Sequence, residues 1–274
     1  MADSTEKKGL LGSFLSLPND NPKKTLFVAI LLCLVCSILV STAAVSLKPL
    51  QTSNKKDDIK RNILAVTGLS DQDGSLDELF SRFDVKLVDL DTGLYAHTDI
   101  DPVVYDQRKA SADPMMSVEL PGGQDIAGIS RRANMAPVYL LTEGDTIKQV
   151  VLPVHGYGLW STLYGFLSLE GDFNTITGLR FYEHAETPGL GGEVDNPKWR
   201  AKWDGKKVFD EEGNVEIRVV RGYVDEKTAN AEHKVDGLSG ATLTSNGVTN
   251  LLQYWLGDHG FGPYLKNMRT ELER

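Results

Sequence analysis

The chain has 274 residues, 41% of them hydrophobic and 24% charged, with a formal net charge of −9. That length and composition exclude a disordered chain and allow one large folded domain or two small ones. Residues 1–61 carry nine Lys/Arg and five Asp/Glu, a net +4, which against the total of −9 leaves −13 for the rest; so acidic a remainder argues against nucleic acid as a partner, because phosphate contacts need clustered Lys and Arg.

Residues 1–24 read as a short polar tail. Thr25 to Leu47, "TLFVAILLCLVCSILVSTAAVSL", then runs for 23 residues without a charge. As a helix it spans about 34 Å, enough to cross a hydrocarbon core with some tilt. Its thirteen Leu, Ile, Val and Phe residues favour insertion by about 5 kcal/mol at roughly −0.4 kcal/mol each. A cleaved signal peptide is the rival reading, but its apolar core is only about 7–15 residues long. The expectation is an uncleaved transmembrane helix held in the bilayer. Lysines flank the span on both sides, so charge does not fix its orientation. Both cysteines, Cys33 and Cys36, lie inside it. With no other Cys or His nearby they cannot complete a four-ligand zinc site, and no metal site is expected.

Residues 48–56 form a Pro/Ser/Lys spacer, and the chain beyond is expected as one domain, 57–274. A helix is predicted from Asp57 or Asp58, with Ile59, Ile63, Leu64 and Val66 on its apolar face and Gly68 at its end. "SLDELFSRF" predicts a second short helix, with Ser75 as N-cap and Glu78 at the capping-box position. "DVKLVDLDTGLYA" predicts a strand and turn. Residues 99–134 have no clear period. From Pro137 the pattern becomes short strands: a hairpin about Glu143-Gly144-Asp145, then "STLYGFLSL" and "ITGLRFYEH". "NPKWRAKW" suits a short helix and "VEIRVVRG" a strand. The last clear helix is predicted from near Thr244, with Val248, Leu251, Leu252, Trp255 and Leu256 in one apolar stripe and Gly257 or Gly260 at its end. Adjacent hairpins rather than βαβ alternation give an α+β fold with a largely antiparallel sheet and flanking helices.

Several motifs invite chemistry. Gly237-Leu238-Ser239-Gly240-Ala241 approaches the elbow of serine hydrolases, but the preceding "NAEHKVD" is too polar for the buried strand that the elbow follows. The only His after Ser239 is His259, and its nearest acid, Asp258, adjoins it, so a triad is not expected. "DTG" at Asp91–Gly93 occurs once, whereas aspartic proteases need two carboxylates sharing a proton. No catalytic residue is therefore assigned. "GYGLWS", Gly156–Ser161, is either a bend between strands or a close backbone approach to a planar ligand beside Trp160. "HAETPGLGGEV", 184–194, is a loop that Pro188, Gly189, Gly191 and Gly192 keep out of helix and strand; it is either structural or a platform for a flat ring. In "DGLSGATLTSNGV", 236–248, four hydroxyls gather at a helix start, where unpaired NH groups attract an anion. Capping alone requires only Thr244 or Ser245 and leaves Ser239 and Thr242 without a role.

Asp236-Gly237-Leu238-Ser239-Gly240-Ala241-Thr242-Leu243-Thr244 resembles the flavinylation motif D-x-x-[ST]-[GS]-A-T-x-[TS] at every element. With the N-terminal span, the "GYGLW" bend and the "HAETPGLG" loop, nearly everything after residue 20 is similar to the covalent FMN-binding family formed by the C subunits of the Na+-translocating NADH:quinone oxidoreductases. The related alternatives are the G subunits of the Rnf-type electron transport complexes and a membrane-anchored flavin sensor or regulator. The resemblance implies FMN joined to Thr242 through a phosphoester, placed there by a separate flavin transferase, in a module spanning about 137–260. It further implies a bacterial inner-membrane complex with five other subunits, a cytoplasmic tail over 1–24 and a periplasmic domain. On this reading Ser239, Gly240, Ala241 and Thr244 surround the phosphate, with Ser239 and Thr244 as donors. Glu186, Thr187, Gly189, Leu190, Gly191 and Trp160 lie at the ring, with Leu190 and Trp160 packing on it. The domain then relays electrons, and neither oxidises NADH nor passes Na+ itself.

Overall fold

The computed structural model describes Pro18 and residues 21–274, so most of the expected tail over 1–24 lies outside the described residues. The first helix, α1, is Pro22–Val66. It starts three residues before the expected span, and it is long and apolar enough to cross a membrane. The chain divides into two compact units between Asp57 and Asp58. Residues 48–56, expected as a spacer, are helical. The spacer expectation rests on the Pro/Ser/Lys composition, yet a proline inside a helix removes one hydrogen bond and need not end it.

The second unit is an α+β domain. Its elements, after the last turns of α1, are α2 (Leu76–Phe80), β1 (Phe83–Asp89), α3 (Gln107–Ala112), β2 (Ser117–Glu119), β3 (Arg131–Ala133), β4 (Met135–Glu143), β5 (Thr146–Tyr157), β6 (Thr162–Glu170), β7 (Ile176–Glu183), α4 (Pro197–Arg200), β8 (Arg218–Val220), β9 (Lys234–Asp236), α5 (Thr242–Leu256) and α6 (Gly262–Leu272). Five strands form one antiparallel sheet in the order β1-β4-β5-β6-β7. β2 and β3 pair antiparallel, and β8 and β9 pair parallel. The short pieces α3, β2 and β3 lie in the 99–134 stretch that showed no period; none is long enough to display one.

Alternation along the strands divides the core in two. Val150, Leu152 and Val154 of β5, with Leu163, Leu167 and Leu169 of β6, join the large cluster that holds α5. Their neighbours Val151 and Phe166 point the other way, into a smaller cluster with Ile63, Leu64 and Val66 of α1, Leu79 and Phe83. Period-two side chains thus give the sheet two apolar faces, and each is covered by helix. On α5, Val248, Leu251, Leu252, Trp255 and Leu256 are fully buried, worth roughly 1.5–3 kcal/mol for each large side chain.

Two glycines set how closely α5 lies on β5. A Cβ at Gly247 would stand 2.5 Å from the Tyr157 carbonyl oxygen, and one at Gly156 would stand 2.5 Å from the Leu251 Cβ. Trp255 Nε1 donates to the His155 carbonyl at 2.6 Å, which fixes the helix along the strand. The start of α5 is thereby carried to the turn that joins β5 to β6. The last helix, α6, is absent from the expected elements, which stop where Gly257 or Gly260 ends α5. Pro263 occupies the first turn of α6, where its missing N–H is no loss.

Candidate functional site

The motif loop begins at Asp236, the last residue of β9. Its side chain is buried: Oδ1 accepts the Val224 N–H at 2.9 Å and Oδ2 meets Lys202 Nζ. Gly240 has φ +71°, a left-handed conformation that glycine takes at no steric cost. The Ala241 N–H donates back to the Leu238 carbonyl at 3.1 Å, and the chain enters α5 at Thr242.

The helix therefore starts two residues earlier than expected, with Thr242 as its first helical residue. The N-cap is Ala241, which supplies no side-chain hydrogen bond. The hydroxyls read as caps are used elsewhere. Ser245 Oγ accepts the Leu238 N–H at 3.0 Å and ties the loop to the helix. Thr244 is fully buried and Oγ1 donates to Glu186 Oε2 at 2.6 Å. The expectation of Thr244 as a phosphate donor is thus corrected: its hydroxyl proton belongs to a carboxylate inside the protein. Thr242 and Ser239 are exposed.

Glu186 joins three segments. Besides Thr244, its Oε1 accepts the N–H groups of Leu159 and Trp160, each at 2.9 Å. Burial by itself raises the carboxyl pKa, but the Thr244 hydroxyl and the backbone N–H groups of Trp160, Leu159 and Ser161 outweigh it, and the pKa falls below the ordinary carboxylate value. The carboxylate is packed to contact: a Cβ at Gly158 would stand 2.5 Å from Oε1, and one at Gly191 would stand 2.5 Å from both Oε2 and Thr244 Oγ1. Gly191 is therefore turned inward to this carboxylate.

"GYGLWS" is a tight turn between β5 and β6, with the Gly158 N–H donating to the Ser161 carbonyl at 2.8 Å. It presents Trp160, 65% exposed, while its amides are held from behind by Glu186. The "ETPGLG" loop turns at Thr187–Leu190: the Leu190 N–H donates to the Thr187 carbonyl at 3.1 Å, and Gly189 has φ +74°. Leu190, 44% exposed, is close to the motif, since a Cβ at Gly240 would meet its Cδ2 at 2.9 Å.

A cleft of about 400 Å³ opens beside Thr242. Gly237, Leu238, Ser239, Gly240, Thr242, Ser245 and Asn246 line one part of it, and Val219–Tyr223 line the rest. Of the expected site residues, Ser239, Gly240 and Thr242 line this cleft, whereas Trp160, Thr187, Gly189 and Leu190 do not. Arg221, Tyr223 and Asn246 are not among the residues that the sequence points to. Nothing in the local pattern marks Arg221 or Tyr223; they follow a three-residue strand that meets the motif only in space.

The donor set suits a phosphorylated ligand fixed through oxygen: an exposed hydroxyl on the first residue of an uncapped 15-residue helix, a glycine two residues before it in the left-handed region, and a cleft that Arg221 helps to line. Residues 158–257 match the model of the FMN-binding domain family, in a chain whose α1 is long and apolar enough to cross a membrane. The C subunit of the Na(+)-translocating NADH-quinone reductase of Pseudomonas aeruginosa is 50% identical over 254 residues, covering 91% of this chain and 97% of that protein. Its counterpart from Vibrio anguillarum is 52% identical over 252 residues, covering 92% and 96%. The crystal structure of Shewanella oneidensis NqrC superposes with a TM-score of 0.73 at 36% identity, over 80% of this chain and 99% of that one. The chain belongs to the NqrC family, the C subunits of the Na(+)-translocating NADH-quinone reductases, and so to an oxidoreductase complex.

Proposed function

We propose that this protein carries electrons within its complex through FMN held on Thr242 by a phosphoester, in a domain on the periplasmic face of a bacterial inner membrane. Five other subunits complete the assembly, and a flavin transferase that uses FAD loads the protein. Bound FMN supplies one- and two-electron transfer, and that chemistry is the cofactor's own. The protein supplies attachment and placement. In the loading step, a bond from Thr242 Oγ1 to the flavin-side phosphorus replaces the bond from that phosphorus to AMP; AMP leaves, and the hydroxyl proton is released. A phosphoester leaves the ring unmodified and removes dissociation, so the carrier is not lost to a compartment that makes no FMN.

The observation that carries this reading is the position of Thr242: an exposed hydroxyl on the first residue of an uncapped helix, inside the matched FMN-binding domain. The remaining phosphate charge rests on the positive end of α5. Ser239 is the hydroxyl left free to face it. Trp160 and Leu190, exposed on turns that Glu186 fixes, give the ring apolar surface. Protein purified from a host with the transferase should fluoresce as a band after denaturing electrophoresis, with a peptide mass increased by FMN minus water at Thr242. Thr242→Val should abolish both signals. A fluorescent band that persists in Thr242→Val would place the attachment elsewhere and refute the assignment.

A further inference from the structure

The cleft beside Thr242 has a wall that lies outside the flavin motif. Val219–Tyr223 form it, and the motif loop is packed directly on them. The Gly237 N–H donates to the Gly222 carbonyl at 3.1 Å. A Cβ at Gly237 would stand 2.5 Å from the Val220 carbonyl oxygen and 3.5 Å from the Arg221 Cα. Buried Asp236 holds the far end of the same turn through the Val224 N–H. This wall is therefore fixed against the loop that carries Thr242.

Arg221 is the cation of that wall. It is exposed and has no hydrogen bond or ion pair among the described residues. Other arginines of this acidic domain are engaged: Arg108 with Glu183, Arg131 with Glu119, Arg132 with Asp91, Arg218 with Glu216. The nearby Lys202 is committed to Asp236. Arg221, unpaired in a net-negative domain, lines the same cleft as an exposed helix-start hydroxyl, and its charge suits an anion on that hydroxyl.

We propose that Arg221 binds the phosphoester carried by Thr242 and speeds its formation. This rests on the assignment of the flavin to Thr242. A guanidinium presents a planar fork of donors that matches two oxygens of one phosphate, which the compact ammonium of lysine does not. The same oxygens gain charge as the phosphoryl group passes to Thr242, so a cation there lowers the barrier as well as holding the product.

The test uses the full chain, purified without flavin, with transferase and FAD. Attachment is followed by in-gel flavin fluorescence and intact mass, and the loaded protein is examined by 31P NMR. Arg221→Gln should slow attachment roughly tenfold or more, the loss expected for one charge-assisted contact. It should also shift the 31P resonance and leave the melting temperature unchanged. Arg221→Lys should recover part of the rate, and the remote Lys148→Gln should keep the wild-type rate. Arg221→Gln loading at the wild-type rate with an unmoved 31P signal overturns the proposal, as does a slow variant that has unfolded and that Arg221→Lys does not rescue. Failure of the wild-type protein itself to take flavin on Thr242 overturns the reading beneath it, and that result is visible without any Arg221 variant.

Discussion

At the start of α2, Ser75 Oγ accepts the Glu78 N–H at 3.3 Å and Glu78 Oε2 accepts the Ser75 N–H at 2.8 Å, a complete capping box. At the start of α5, the N-cap is Ala241 and no side chain caps the first turn. Both helices begin with the same orphan N–H groups. In α2 they are answered by residues three apart in sequence. In α5 the hydroxyls that sequence offers as caps are turned inward, to Leu238 and to Glu186, and Thr242 is left facing out. α6 also lacks a side-chain cap, but Pro263 in its first turn removes one orphan donor. The difference teaches that the first turn of a long helix can be left without a side-chain cap when its hydroxyls are spent on tertiary contacts, and on the proposed assignment the phosphate on Thr242 answers the charge that a cap would otherwise meet.

The sharpest break between the two helix starts comes from Thr242→Val. Flavin attachment should be lost completely, while stability in urea changes by less than about 0.5 kcal/mol, as for an exposed surface position. A large loss of stability would mean that Thr242 is a structural residue.

Next in size is Glu186→Ala. It leaves the Leu159 and Trp160 N–H groups and the Thr244 hydroxyl without their acceptor, three donors to one buried carboxylate. A cost of roughly 3–4 kcal/mol in urea unfolding is expected. Glu186→Gln keeps one carbonyl oxygen for the amides and should lose about half as much. If Glu186→Ala unfolds like the wild type, the carboxylate is not what holds the turns behind the site.

Acid separates the fold from the site. His155 stacks on Tyr164 and packs at a tilt against Trp255, with ring centroids at 5.4 and 4.8 Å. Burial, and then Arg108 on Tyr164, lower its pKa from 6.5 to about 4. The unfolded chain binds this proton more readily, so the contribution is complete above about 6.5 and is lost as pH falls toward about 4, up to roughly 3 kcal/mol. Glu186 also has a depressed pKa, so its contribution persists down to the ordinary carboxylate value of about 4.3 and is lost below it. Urea midpoints between pH 7 and pH 4.5 should fall in the wild type and flatten in His155→Phe. An equal slope in both would remove His155 from the account.

What the sequence made legible follows the range of the contacts. The stripe on α5 repeats every three or four residues, and the strands alternate every two; such periods are local, and both appear in the fold. Thr242 could be singled out for the proposal because its neighbours in the motif are contiguous. Glu186 could be named as part of a glycine loop, but its role was not legible, since its partners lie 26, 27 and 58 residues away. Arg221 carried no signal, because only the pairing of β8 with β9 brings it to the motif loop. Pro49 and Pro263 both lie inside helices; proline is a breaker by rule, and its position and surroundings decide whether the rule applies.

The smallest effect tests the other side of the comparison. Ser75→Ala removes the acceptor for the Glu78 N–H and frees Glu78 from its reciprocal bond, and should cost about 1 kcal/mol. Leu79 of the same helix packs in the cluster with Ile63 and Phe166, on the face of the sheet opposite α5. The loss should therefore register in urea unfolding and leave the rate of flavin attachment unchanged. Thr242→Val is expected to do the reverse. If Ser75→Ala slowed attachment, the two faces of the sheet would be coupled, and the start of α5 would owe its exposed threonine to the packing beneath it rather than to its own loop.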